Sequence, residues 1–291
     1  MIRRRLTSLT RGRFDEWVFW TRFPSPELIE AIRGLSFNRV IYEPVDRYAV
    51  GAWFSLDERK RIAAAEAEIV HRAIVVTTTA GLAKRFEHAC GGSYSLPLGK
   101  DLRLKARVSG RTAHVRRPRL AVVGSLDWLA DETLLVDLVT QRPEWQLVLA
   151  GPRDPAWGRR LEGLPNVHWL GKVTPEEARG VIADCDVALN PCVLNEWTEF
   201  AIPVKIFDYL AEGRPVVSTP MAELDIFRDV IEMAPKAQFV QAVERALRAD
   251  GLEVAARRRA ASERFTLQER ARAAFELVSR APVEASSRRP G

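Results

Sequence analysis

The feature that most constrains the fold is an alternation. Short apolar runs, each closed by glycine, proline or a polar turn, take turns with stretches of helical period. In the second half of the chain, Leu120–Val123 stops at Gly124-Ser125, Gln146–Ala150 at Gly151-Pro152 and Val167–Leu170 at Gly171. Asp186–Leu189 and Val216-Val217 continue the series. Apolar runs of this length, bounded by turn residues, read as buried strands. Between them lie Asp131–Gln141, with Leu134, Leu135, Leu138 and Val139 on one side, and Thr174-Pro175-Glu176-Glu177, a capping box with proline at the first helical position. The first half repeats the pattern with strands at Trp17–Trp20, Arg39–Tyr42, Ile74–Thr77 and Tyr94–Pro97, and helices at Pro26–Arg33, Leu56–His71 and Ala80–Ala89. Such alternation with short connections predicts an α/β protein whose strands are parallel and whose helices are the crossovers.

The 291 residues suggest two domains. Residues 1–117 form the first, opening with a loose basic arm over 1–13 and ending in a basic linker over 100–118 that lacks periodicity and stops at Pro118. Residues 118–264 form the second, 265–281 a final helix opened by the capping box Thr266–Glu269, and 282–291 a disordered tail. Net charge is +6, and the charge clusters: five arginines precede Asp15, and eight Lys or Arg face one Asp between Lys100 and Arg119. Such clusters could meet an anionic membrane surface or a charged substrate, or form arginine-rich solvated surface. No nucleic-acid motif accompanies them. The three cysteines and four histidines have no metal-ligand spacing, so neither a metal nor a bound cofactor is expected. No run reaches the ~18 apolar residues of a membrane span, and no signal peptide follows the basic start. The cytoplasm is the expected location, with docking on the inner membrane face as the use of the basic arm.

In open parallel sheets, ligands bind beyond the carboxyl ends of the strands. That rim of the second domain collects Gly124 and Ser125, Gly151 and Arg153, Lys172 and Val173, and Thr198 in the loop Asn190–Ile202. Next comes the stretch Phe200–Pro220, with Pro203 suited to the first helical position and Gly213 to the left-handed stop. Lys205 and Asp208 stand three apart on this helix and read in two ways: as a surface ion pair, or as a ligand site. In the second reading the helix start and Lys205 take a diphosphate, Asp208 takes a ribose, and the base lies near Gly171–Val173. Neither G-x-G-x-x-G nor a P-loop is present. Asp184-Cys185-Asp186 precedes its strand and reads as a helix end and strand start rather than a metal motif.

Residues 119–264 resemble the donor-binding domain of the GT-B glycosyltransferases of the group 1 type. The phrases that carry the resemblance are Val122–Leu126, Leu147–Pro152, Asn166–Val173, Asp186–Pro191 and, most specifically, Pro203–Thr219, which is similar to a segment of the teichuronic-acid-transferase-like branch. The resemblance implies two Rossmann-like parallel-sheet domains and metal-independent transfer of a sugar from a nucleotide diphosphate sugar to a polysaccharide or glycolipid acceptor. It implies that Lys205 holds the diphosphate and Asp208 the ribose. Asp46, at the end of a first-domain strand, is the candidate for contacting the acceptor, and Asp46 and Lys205 are the expected catalytic pair. The chain departs from the family pattern at several points. Phe200 stands where the first of two acids is expected, with Glu199 beside it; Asp208 is a methylene shorter than glutamate. A basic pair is missing around Leu126–Glu132, which leaves the work to Lys205 with help from Arg153. The usual Asn-Gly-Val-Asp is here Leu98-Gly99-Lys100-Asp101. The family's opening strand and glycine-rich loop are not in this chain, so the first domain is a reduced version or a truncated reading frame. The rival functions are a catalytically impaired GT-B-like protein that binds a nucleotide or a partner, and an epimerase of the same architecture, which no carboxylate and histidine constellation favours.

Overall fold

The computed structural model describes residues 2–101, 106–107, 110–249 and 251–280. Part of the expected basic linker and the whole expected tail lie outside these residues. The chain divides into two units, one of residues 1–97, 199–201 and 270–291, the other of residues 98–198 and 202–269. The segment after Leu98 therefore groups with the second unit, as its hydrogen bonds do: Arg107 N–H donates to Glu176 O at 2.9 Å.

The first unit holds a four-stranded parallel sheet in the order β1 (Val18–Thr21), β2 (Arg39–Tyr42), β3 (Ile74–Thr77), β4 (Ser93–Ser95). Residues 2–10 are not a loose arm but a helix, α1 (Ile2–Thr10), because Leu6 and Thr10, one turn apart, turn inward while the arginines stay in solvent. Crossovers α2 (Pro26–Ile32), α3 (Leu56–Val70) and α4 (Ala80–Arg85) follow. α3 opens with a capping box made by Ser55 and Glu58. α4 stops short of the expected Ala89, at a turn in which Phe86 N–H bonds back to Ala83 O. Ile29, Ile32, Tyr42, Ile69, Val75 and Leu82 fill the core between sheet and helices.

The second unit holds a six-stranded, all-parallel sheet. In chain order its strands are β5 (Arg119–Val123), β6 (Gln146–Ala150), β7 (Val167–Gly171), β8 (Val187–Asn190), β9 (Val216–Ser218) and β10 (Glu232–Met233). In space the order is β10-β9-β8-β5-β6-β7. The chain builds outward from β5 on one side, then returns to β8 on the other, which makes the end of β5 the topological switch point where open sheets leave a crevice. The helices are α5 (Glu132–Gln141), capped by Asp131; α6 (Pro175–Asp184), with the expected capping box; α7 (Lys205–Ala211); α8 (Phe239–Arg248); α9 (Leu252–Glu263); and α10 (Leu267–Arg280), whose residues from 270 group with the first unit. α7 begins two residues later than Pro203 suggested. Pro203 precedes the cap and accepts a turn bond from Ile206 N–H at 3.0 Å, so it sets the entry of the helix rather than its first position.

Asp184 and Asp186 serve structure at the opposite rim. Asp184 takes Arg119 at 2.6 Å and Arg117 at 3.1 Å, and Asp186 accepts the backbone N–H of Arg119 at 2.7 Å.

Candidate functional site

The rim of the second sheet is built by glycines that let backbone close on backbone. Gly151 has φ 146°, and a Cβ there would sit 1.8 Å from the carbonyl oxygen of Gly124. No other residue fits. Gly151 N–H donates to Gly171 O at 2.8 Å and Gly124 N–H to Ala150 O at 2.9 Å, so the ends of β5, β6 and β7 are drawn into one ledge. Gly124 has φ 117°, and its open α-carbon faces Lys205: a Cβ there would meet Lys205 Cε at 3.7 Å and Nζ at 3.9 Å.

Lys205 reaches that place because α7 is pinned beneath the strand ends. Four residues on, on the same helical face, the buried Tyr209 hydroxyl accepts a hydrogen bond from Val123 N–H at 3.0 Å and donates to Leu189 O at 3.2 Å. It joins the end of β5 to the end of β8. Ile206, Phe207 and Leu210 bury the rest of the helix. The Lys205 side chain, half-buried beside these groups, makes no hydrogen bond or ion pair within 4.0 Å among the described residues. Burial pushes its pKa down, opposed by the Cys192 thiol and Asp127. Burial likewise pushes the Cys192 thiol up to about 11, so the neighbouring sulfur is neutral at physiological pH and offers the ammonium no counter-charge.

The other expected residues sort differently. Lys205 and Asp208 do not pair with each other. Asp208 Oδ2 instead accepts from Lys100 Nζ at 2.6 Å. Ser125 and Lys172 are exposed at the rim and Val173 is half-buried there. Arg153, expected to assist Lys205, stacks over the Trp169 ring at 4.6 Å and pairs with Glu162 at 2.7 Å. Thr198 is buried, and its hydroxyl bonds inside its own loop, donating to Val193 O and accepting from Asn195 N–H, both at 2.9 Å. It shapes the loop after β8 and offers nothing outward. Sequence reasoning missed Tyr209 and Lys100. Tyr209 carried one signal, its i+4 spacing from Lys205; Lys100 carried only its place in Leu98–Asp101, where the chain departs from the family pattern.

Asp46 belongs to the first unit and follows β2 after Glu43-Pro44-Val45. It is half-buried, and burial pushes its carboxyl up to about 6 against the pull of Arg22. Glu43, buried, takes Trp20 Nε1 at 2.8 Å and Arg270 at 2.6 Å. Glu199, which stands next to the expected place of the missing acid, also belongs to the first unit and pairs with Arg47 at 2.7 Å.

Residues 117–249 match the family model described as "Glycosyl transferases group 1". The "Putative teichuronic acid biosynthesis glycosyltransferase TuaH" of Bacillus subtilis (strain 168) is 27% identical over 262 residues, covering 80% of this chain. The aligned part spans 64% of that relative's length. Among solved structures, the sucrose-phosphate synthase of Thermosynechococcus elongatus superposes with a TM-score of 0.72 at 17% identity, covering 95% of this chain and 76% of its own. Anabaena HepE in complex with UDP and glucose gives 0.68 at 16% identity, covering 94% and 81%. The likeness fixes the architecture as GT-B, two parallel-sheet Rossmann-like domains, as the sequence led us to expect.

Proposed function

We propose that this chain, whose residues 117–249 form a group 1 glycosyltransferase domain, transfers a sugar from a nucleotide diphosphate sugar to a hydroxyl of a polysaccharide or glycolipid acceptor. The observation that carries this reading is the Lys205 ammonium, half-buried and without an ion partner among the described residues, at the switch point of a parallel sheet. A cation held partly out of water without an anion costs free energy. A diphosphate laid against Gly124 and Lys205 supplies the missing charge, and supplies it most strongly when the leaving group departs and its charge rises. The ribose falls to Asp208 and the base to the ledge by Gly171, Lys172 and Val173. In this reading Lys205 compensates the leaving group without a metal. The relative's teichuronic acid biosynthesis supports a cell-surface polysaccharide as the acceptor class, and the HepE complex makes UDP-glucose the first donor to try. Asp46, with a carboxyl that ionises near pH 6, takes the acceptor hydroxyl's proton or orients it.

The first unit suits a membrane surface. α1 presents Arg3, Arg4 and Arg5 to solvent, Arg11 and Arg13 follow, and Leu9 and Trp17 are exposed beside them. Cations to draw in anionic headgroups, with apolar side chains to enter the interface, support a peripheral protein on the inner membrane face. No helix among the described residues is long and apolar enough to cross a membrane.

The test is thermal stability against a panel of nucleoside diphosphates, followed by release of UDP from UDP-glucose with and without glycan acceptor. A rise in melting temperature with at least one nucleotide, and turnover lost in Lys205→Ala, are expected. Binding without turnover of any nucleotide sugar would leave a nucleotide-binding protein; no binding at all would sink the reading.

A further inference from the structure

Opposite charges three residues apart on a helix meet on its surface. Lys205 and Asp208 have that spacing and do not meet, because Asp208 is held by Lys100 at 2.6 Å. Lys100 is not a dangling surface lysine. Its N–H donates to Phe265 O at 2.8 Å and its carbonyl accepts from Leu267 N–H at 3.2 Å. Gly99 allows this approach, since a Cβ there would stand 2.6 Å from Thr266 O. Phe265 is itself seated on Phe207 of α7, with ring centroids 5.3 Å apart. The backbone of Lys100 is thus clamped to the segment that packs on α7, and its side chain reaches the α7 carboxylate. Both side chains are mostly buried, at 29% exposure for Lys100 and 17% for Asp208, so solvent screens the pair weakly.

Resting on the reading of Lys205 as the diphosphate-binding group, we infer that Lys100 is a positioning residue of the nucleotide site: it takes Asp208 into an ion pair, which keeps that carboxylate from Lys205 and leaves the Lys205 ammonium for an anionic ligand. Without Lys100, the Asp208 carboxylate has two effects. It attracts Lys205 across one helical turn, and it repels a diphosphate approaching Lys205. Both act against the ligand, and neither requires Lys100 to touch it.

A double-mutant cycle on the full chain tests this, with binding of UDP and of inorganic pyrophosphate measured by calorimetry. Lys100→Met is expected to weaken both about tenfold, the scale of one carboxylate left uncompensated in a weakly screened site. In the Asp208→Asn background the same substitution should change binding less than about twofold, and Lys100→Arg should bind like the wild type. Unchanged binding in Lys100→Met overturns the inference while leaving Lys205 untouched. An equal loss in both backgrounds also overturns it, because Lys100 would then meet the ligand directly or hold the fold. Should Lys100→Met fail to fold, Asp208→Asn alone decides: pyrophosphate, which has no ribose, must bind it no more weakly than it binds the wild type. A wild type that binds neither probe overturns the proposed function and this inference with it; binding lost in Lys205→Ala but intact in Lys100→Met removes only the inference.

Discussion

The hydroxyl of Tyr209 stands 3.0 Å from the backbone nitrogen of Val123 and takes its hydrogen bond beyond the last β5 residue in register with β8. Its own proton goes to Leu189 O. One side chain therefore completes two strand ends and holds α7, with Lys205, beneath them. Tyr209→Phe leaves a buried N–H unpaired. It should cost about 1–3 kcal/mol of stability, read as a lower melting temperature, and should weaken nucleotide binding because Lys205 loses its registration. Full stability with full nucleotide affinity in Tyr209→Phe would show that packing alone places the helix.

Lys205 should display a trade of stability against function. Burial lowers its folded-state pKa, so the charged side chain is a cost to the empty protein at any pH below that value. Lys205→Met removes the charge and keeps the stem. The ligand-free variant should melt higher than the wild type, while the added stabilisation by a nucleotide disappears. An empty variant that melts lower would mean the ammonium is already satisfied in the resting protein.

Gly151→Ala tests the ledge. Its Cβ would overlap the Gly124 carbonyl, at a backbone conformation that L-residues rarely adopt. Relief requires moving the end of β5 or β6 and breaking hydrogen bonds. A loss above about 3 kcal/mol, or failure to fold, is expected. Chemical denaturation measures it, and a loss under 1 kcal/mol would contradict the tight approach.

Asp46 sets a pH dependence whose sign follows from burial. Burial raises its carboxyl from the ordinary value of an aspartate to about 6. The folded state holds the proton more tightly than the unfolded state, so folding pays no penalty at pH 3 and the full penalty above about pH 6. Asp46→Asn should therefore melt higher than the wild type at pH 8, by an amount worth about 3 kcal/mol, and the difference should vanish below about pH 3. If Asp46 acts on the acceptor, turnover rises through pH 6 in the wild type and is flat and low in Asp46→Asn. A pH-independent rate would remove it from the mechanism.

Vesicles test the basic surface. The protein should sediment with vesicles rich in anionic lipid and not with neutral ones, and release with rising salt. Reversing Arg3, Arg4 and Arg5 to glutamate should abolish sedimentation while nucleotide binding persists. Equal binding to neutral vesicles would point to Leu9 and Trp17 as the whole cause.

Strands and helices were largely legible because each has a local signature. Ile74–Thr77 is β-branched throughout, and Thr174 to Glu177 is a complete cap. Errors fell where local signals compete. Arginines at the start hid the Leu6 and Thr10 face of α1, and Pro203 marked the entry to α7 rather than its first turn. Around the rim, the places of Gly124, Gly151 and Lys205 at strand ends and a helix start were legible because turn glycines and helix starts have local signatures. The contacts of Arg153 and Thr198 were not legible, because Glu162 with Trp169, and Val193 with Asn195, reach them through folding and loop closure.

By itself the amino-acid sequence determined the α/β alternation, the glycine-closed strand ends and the presence of Lys205 and Asp208 on one short helix, since periodicity and backbone freedom are properties of neighbours along the chain. Only the tertiary structure decided which charges compensate which. Lys100 lies more than a hundred residues before Asp208, and no local pattern links them. The strand-like clamp on Phe265 and Leu267 brings the two together. That pairing turns Lys205 from half of a surface ion pair into a half-buried cation without a partner among the described residues, because an ion pair forms where chain folding places the charges and not where sequence spacing allows it.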